Sequence, residues 1–254
     1  MASWLLPARV RPPIEAIYAF ARGADDIADE GELGDAARLE GLREYLRALD
    51  AIERGETPAG APFERIAWAI REYHLPMQLL RDLIDAFSQD VVKKRYATFA
   101  EVMDYSRRSA NPVGRLLLHL FGNSQVEPSD AICSALQIIN FWQDVEFDWG
   151  KGRVYIPQED LTRFGVSEAQ IAERRADERW ASLMAFETHR AREMLRSGAP
   201  LGRTLPGRLG LEIRATVQGG MAILDKIDAV EGDVFRHRPQ LKSLDWIRIL
   251  ARAL

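Results

Sequence analysis

Two sets of oxygen-bearing side chains recur at helical spacing in this chain of 254 residues. Asp25 and Asp29 belong to Asp25-Asp26-Ile27-Ala28-Asp29; Asn140, Asp144 and Asp148 belong to Asn140-Phe141-Trp142-Gln143-Asp144-Val145-Glu146-Phe147-Asp148. A step of four residues turns an α-helix by about 40° and rises about 6 Å, so each set lies along one face. Like charges stacked in this way repel by roughly a few tenths of a kcal/mol per pair. A cation on the stripe relieves the repulsion, and Mg²⁺ takes oxygen ligands, commonly one or two carboxylates completed by phosphate oxygens. The two rows therefore read as a clamp for Mg²⁺ and a diphosphate. The plain alternative is a solvated acidic face. It fits the second row less well, because Ile138, Ile139, Phe141 and Trp142 put its carboxylates beside apolar side chains, where an unpartnered charge is expensive.

Cations accompany both rows. Arg22 stands three residues before Asp25, placed either to bind a diphosphate oxygen or to pair with Asp26. Lys93-Lys94-Arg95, followed by Tyr96, suits a flap over a diphosphate or a plain exposed patch; Arg107-Arg108 equally reads as a surface pair. Arg153 and Tyr155 follow the second row closely, and Arg236 and Arg238 are later candidates. Ionising an allylic or cyclopropylcarbinyl diphosphate requires no protein nucleophile; the departing charge must be stabilised as it develops, a task for Mg²⁺ as Lewis acid. The carbocation left behind needs apolar, aromatic surroundings that exclude water. Phe141, Trp142, Phe147, Val113, Ala110, Leu117 and Phe121 are candidates for such a lining or for ordinary core, while Gly114 and Gly219-Gly220 would leave room for a long chain. Asn111, Gln143 and Glu146 are polar groups suited to holding a water. His74, His119, His189 and His237 lack metal-ligand spacing, and no phosphate-binding P-loop, dinucleotide glycine pattern or Gly-x-Ser-x-Gly elbow occurs.

The elements that position these residues read as helices throughout. From Pro12-Pro13, apolar residues recur at helical spacing to Gly31; a second helix covers 35–54, a third reaches His74, and a fourth starts at Pro76. Thr98-x-x-Glu101 is a capping signature for a segment running to Gly122, with a bend expected at Asn111-Pro112. Helix resumes from Pro128 to Trp149, a loop covers Gly150 to Pro157, and Ser167-x-x-Gln170 caps a charged helix expected to run to Ser197. Another follows Pro206 as far as Val230, and a last short one spans Ser243 to Ala253. The expected architecture is all-α: one domain over 1–254, a helical bundle with a central cavity. Net charge of −4 supplies no reason to expect nucleic-acid binding. The lone Cys133 allows no internal disulfide, and the absence of a leader or spanning run favours the cytoplasm.

With both rows, Asn111-Pro112-Val113-Gly114 and Gly152-Arg153-Val154-Tyr155-Ile156-Pro157 in this order, nearly the whole chain resembles the squalene and phytoene synthase family. The resemblance implies an isoprenoid-synthase-like fold. It also implies a Mg²⁺ site at Asp25, Asp29, Asn140, Asp144 and Asp148, the catalytic set, for a prenyl diphosphate substrate. Arg22, Lys94, Arg108, Asn111, Gln143, Arg153, Tyr155, Phe141, Gly114 and Gly220 are the expected substrate contacts. Ala2-Ser3-Trp4-Leu5-Leu6-Pro7, Phe20-Ala21-Arg22 and Asn140-Phe141-Trp142-Gln143-Asp144 look most similar to the hopanoid-pathway branch of hydroxysqualene synthases. Members of that branch take presqualene diphosphate, release diphosphate and add water. Most head-to-head synthases carry arginine where this chain has Gln143, and a neutral amide does not replace a fixed cation. That departure fits an enzyme handling one diphosphate rather than two. Arg108 and Gly220 stand where several members carry aromatics, so roles of those aromatics do not transfer. The N-terminal histidine-serine signature of some members is also missing. The rival readings are condensation of two farnesyl diphosphates and a non-catalytic prenyl-lipid-binding protein. Oily substrate and product lead to an expectation of peripheral contact with the membrane.

Overall fold

The computed structural model describes residues 7–254 and is all-α; the segment from Ala2 to Leu6 lies outside the described residues. In chain order the helices are α1 (Arg11–Asp29), α2 (Asp35–Glu53), α3 (Ala61–Tyr73), α4 (Met77–Val92), α5 (Phe99–Ser109), α6 (Asn111–Leu120) and α7 (Val126–Gln143). They continue as α8 (Val145–Gly150), α9 (Gln158–Phe164), α10 (Glu168–Ala172), α11 (Glu178–Gly198), α12 (Leu201–Thr204), α13 (Gly207–Ala229) and α14 (Ser243–Ala253). Among the described residues the strand-like pairing is confined to one isolated parallel bridge between Arg95 and Val154. No described helix is long and apolar enough to cross a membrane.

The chain divides into two compact units, Met1–Lys93 with Arg107–Val126 and Lys94–Ser106 with Glu127–Leu254. In the first, α1 packs on α2, α3 and α4, and α4 on α6. Phe20, Leu42, Ile66, Leu80 and Leu116 are among its fully buried side chains. Pro12 and Pro13 occupy the first turn of α1, where a missing N–H costs nothing, and the helix ends as Glu30 turns extended and Gly31 takes φ 76°. The acidic row of α1 is thus at the C-terminal end of its helix. In the second unit α13 packs against α11, α12 and α14, and α11 against α9.

Most boundaries follow the sequence reading, and the exceptions have local causes. Thr98 Oγ1 accepts from the Glu101 N–H at 3.3 Å, but the Glu101 carboxylate accepts from Ala97 N at 2.9 Å, one residue earlier than a capping box. The chain breaks at Ala110, as Pro112 requires. The helix expected over 167–197 is two helices. Ser167 and Gln170 do form a capping box, yet α10 stops after five residues and Arg174 adopts a left-handed φ of 53°. Asp177 then starts α11 as a new N-cap, its side chain accepting from Arg179 N and Trp180 N at 3.1 Å each. The bond from Trp180 N–H holds the Asp177 carboxyl below its ordinary range. α9 and α12 were not expected.

Small residues set the spacing around α7. A Cβ built on Gly198 would stand 2.5 Å from Pro128 O and 2.6 Å from Ile132 Cγ1; on Gly220 it would meet Leu195 at 2.8 Å and Leu136 at 3.0 Å. The space over Gly220 is therefore filled by core side chains of α11 and α7. Gly198→Ala should lower unfolding free energy by about 2 kcal/mol, because backbone and not a flexible side-chain tip blocks the methyl; urea unfolding measures it, and a wild-type midpoint would refute the close approach.

Glu187 on α11 is wholly buried, and Arg190 bridges it to Asp160 of α9, with N–O distances of 3.2 and 2.8 Å. The Arg190 guanidinium also lies 4.0 Å from the Phe99 ring and 4.4 Å from that of Phe186. Burial raises the Glu187 carboxyl from 4.5 to about 8, Arg190 opposes the rise, and Asp160 and Glu159 add to it. The folded protein thus keeps a proton that the unfolded chain releases, so this group makes stability fall as pH climbs from 4.5 through about 8. Glu187→Gln should flatten that decline while leaving stability unaltered at the acid end. Urea melts across the range test this, and an unchanged slope would assign the decline to another group.

Candidate functional site

The first acidic row forms on the last turns of α1, where i, i+4 geometry aligns Asp25 and Asp29. Both are half-buried. Arg22 reaches across their neighbours, 3.0 Å from Asp25, 2.7 Å from Asp26 and 2.6 Å from Glu30. Desolvation works against the Arg22 charge, but Asp26, Asp25 and Glu30 outweigh it and raise the guanidinium above its ordinary value. Of the two sequence alternatives for Arg22, the ion pair with Asp26 is the one present. The arginine remains exposed beside Asp25. In the same unit Arg108 binds Asp85 and donates to Gln89 Oε1 at 2.6 Å, both on α4, while Asn111 is buried and Gly114 half-buried at the start of α6.

The second row crosses the joint between α7 and α8. Asp144 lies between the two helices, yet Asp144 N donates to Asn140 O at 3.0 Å and Asp148 N to Asp144 O at 2.8 Å. These two bonds tie the three residues together, but Asp144 leaves helical geometry with φ −107° and ψ 16°, so the single helix expected from Pro128 to Trp149 is two, with Asn140 on α7 and Asp148 on α8. Asn140 is exposed; Asp144 and Asp148 are half-buried. Arg238 holds Asp144 in a fork, Nε to Oδ1 at 2.5 Å and Nη2 to Oδ2 at 3.1 Å, and this hydrogen bonding raises the Arg238 guanidinium above its ordinary pKa despite desolvation. Beside it Gln143 is buried and donates from Nε2 to Pro239 O at 2.7 Å.

Asp144, Arg238 and Gln143 line an open groove of about 710 Å³ with Glu146, Phe147 and Arg174. Glu146 pairs with Arg174 at 2.6 Å, so its carboxylate is already engaged, and Lys151 stands 4.8 Å over the exposed Phe147 ring. The Glu146–Arg174 pair was not foreseen; it depends on the turn at 173–177 that separates α10 from α11.

Behind the row, the loop 150–157 is stitched to the basic segment. Val154 N donates to Lys94 O at 3.0 Å, and Arg95 donates to Gly152 O at 2.5 Å and to Glu168 at 2.6 and 2.8 Å. Arg95 thus serves as a structural tie, while Lys94 is half-buried and Arg153 fully buried. Tyr155 stacks on Phe141 with centroids 3.7 Å apart and planes within 5°, and Tyr96 and Tyr105 complete a buried aromatic group. One face of Phe141 is consequently covered by protein. Tyr105 was missed in the sequence because its partners come from α7 and a loop far along the chain.

Among the described residues no group of three or more His, Cys, Asp or Glu side chains converges to hold a metal by itself. The donor set nonetheless suits Mg²⁺, which keeps several waters, takes hard oxygens and needs only one or two carboxylates when phosphate supplies the rest.

A family model described as squalene/phytoene synthase matches residues 1–245. The chain is 37% identical to a hydroxysqualene synthase of Rhodopseudomonas palustris, over 97% of this chain and 84% of that protein. It is 34% identical, with the same coverage, to a hydroxysqualene synthase of Sinorhizobium fredii. The crystal structure of squalene synthase HpnC from Alicyclobacillus acidocaldarius superposes with a TM-score of 0.83 at 36% identity, covering 89% of this chain and 86% of that one.

Proposed function

The chain belongs to the squalene/phytoene synthase family, and on that premise we propose that it converts presqualene diphosphate and water to hydroxysqualene and diphosphate with Mg²⁺. The observation that carries this choice is Gln143. The position next to Asp144 bears a buried neutral amide bonded to backbone in place of a second cation, and Arg238 forks the Asp144 carboxylate. The similarity over 97% of the chain to proteins named hydroxysqualene synthase points the same way. The single-domain reading of 1–254 rests on the family match over 1–245.

In the proposed reaction the carbon–oxygen bond to diphosphate breaks heterolytically, and diphosphate leaves with the electron pair. A water oxygen then bonds to the carbocation and its proton passes to solvent or to the released diphosphate. No reductant enters. Mg²⁺ when bound supplies Lewis-acid stabilisation of the leaving group. By the family's pattern, Asp25 and Asp29 on α1 and Asn140, Asp144 and Asp148 on α7 and α8 are the residues whose side-chain oxygens would hold it. By the same pattern Arg22, Lys94 and Arg153 are the cations that would meet the diphosphate, and Arg238 pairs with Asp144. The buried stack of Phe141 and Tyr155 holds the loop that carries Arg153 and keeps water from that side. Asn111 and Gln143 remain the polar candidates for orienting the reacting water.

The second reading, joining two farnesyl diphosphates, draws on the 36% identity to a protein named squalene synthase. Supplying each substrate alone with Mg²⁺ and no reductant separates the two. Presqualene diphosphate should give hydroxysqualene, and Asp25→Ala or Asp144→Ala should lower diphosphate release by about 10²- to 10³-fold. Turnover of farnesyl diphosphate to presqualene diphosphate would defeat the choice of branch. If wild type released no diphosphate from either substrate, a prenyl-lipid-binding role would remain.

We place the enzyme in the cytoplasm with peripheral contact to an anionic membrane surface. The outer face of α14 exposes Leu244, Trp246, Ile247 and Leu250, flanked by Arg248 and Arg252, a pairing of apolar stripe and basic edge that suits lipid headgroups. The protein should co-sediment with anionic liposomes more than with neutral ones, and Ile247→Glu should abolish the difference; absence of wild type from both pellets would count against contact.

A further inference from the structure

Arg238 sits in the irregular stretch between α13 and α14, and its guanidinium is half exposed, yet it closes on Asp144 with two hydrogen bonds. A long, half-exposed side chain on irregular backbone gives up rotamer and backbone freedom to hold one such geometry. Something must fix that backbone. Two contacts do so. Leu241 packs against the small cluster of Ala215, Ile249 and Ala253, which secures the stretch from its far side. On the near side Gln143, buried at the end of α7, donates to Pro239 O at 2.7 Å, one residue from Arg238. Pro239 itself is buried and restricts the residue before it to extended conformations. Gln143 and Asp144 are adjacent on the chain, as are Arg238 and Pro239, so two neighbouring residues of the acidic row grip two neighbouring residues of the irregular stretch.

We infer that Gln143 is a positioning residue: its amide pins the Pro239 carbonyl and thereby holds Arg238 in register with Asp144, setting how strongly the row binds a magnesium diphosphate. The inference rests on the reading of Asp144 as a ligand for Mg²⁺-bound diphosphate. A neutral donor is required at this place. An aliphatic residue would bury the Pro239 carbonyl without its donor, and an acidic one would repel that oxygen.

The test uses the full chain with Mg²⁺ and inorganic pyrophosphate, read by calorimetry, alongside KM and kcat on the prenyl diphosphate that wild type turns over. Gln143→Leu and the unbranched Gln143→Met should each weaken pyrophosphate binding by about tenfold, with KM rising more than kcat falls. Arg238→Gln should weaken it to the same extent. The double variant Gln143→Met with Arg238→Gln should be no worse than either single one, the mark of two residues acting as a unit. Pyrophosphate affinity within about twofold of wild type in Gln143→Met, or losses that multiply in the double variant, would overturn the inference. So would loss of cooperative melting in both Gln143 variants, which would make it a core residue only. Pyrophosphate carries no prenyl chain, so a wrong substrate assignment leaves these results unaffected; failure of wild type to bind it with Mg²⁺ would instead remove the premise.

Discussion

Carboxylates gathered on one helix face must be kept charged and aimed without pushing their own helix apart. In each acidic row an arginine pairs with carboxylates. On α1 the arginine is local, Arg22, one turn before Asp25 and in reach of Asp26 and Glu30. On α7 and α8 it comes from far along the chain, as Arg238 on Asp144. The local solution needs only helical periodicity. The distant one needs the stretch after α13 to be built correctly, and much of the second unit contributes to that, from the packing of α14 on α13 to the burial of Pro239.

The same contrast explains what could be read from the chain beforehand. Most helix positions, the break at Asn111-Pro112 and the alignment of Asp25 with Asp29 on α1 depend on neighbours within a few residues and were legible; α9 and α12 were not. The break at Asp144 was not legible, because the residues around it fit one helix; the structure divides them between α7 and α8 while keeping the bonds from Asp144 N to Asn140 O and from Asp148 N to Asp144 O. The turn at 173–177 was illegible because the charged residues there fit a helix equally well; the Asp177 side chain, bonding the N–H groups of Arg179 and Trp180, starts a new one. For the same reason the Glu146–Arg174 pair could not be foreseen.

Aromatic residues were harder to interpret still. Phe141 and Trp142 left lining and core undecided. The stack on Tyr155 puts one face of Phe141 inside protein, and Trp142 is completely buried. Gly220 shows the converse case, a missing side chain whose volume is taken up by Leu195 and Leu136 rather than left open. Residue type alone gives no direction, and for these positions direction decides between packing and contact with a ligand. The arginines divide in the same way: Arg95 is spent on Glu168 and on the Gly152 carbonyl, whereas Arg238 stands at the groove.

The five-residue α10 and the turn after it form one rim of the groove beside Asp144, and Arg174, at the left-handed position of that turn, closes it through Glu146. Because the turn belongs to neither long helix, adding or deleting a residue there would re-aim the rim and its charge without shifting the register of α7 or α11. Divergent copies of such a chain can therefore vary the mouth of the groove by loop length while the carboxylate ladder beneath it stays constant.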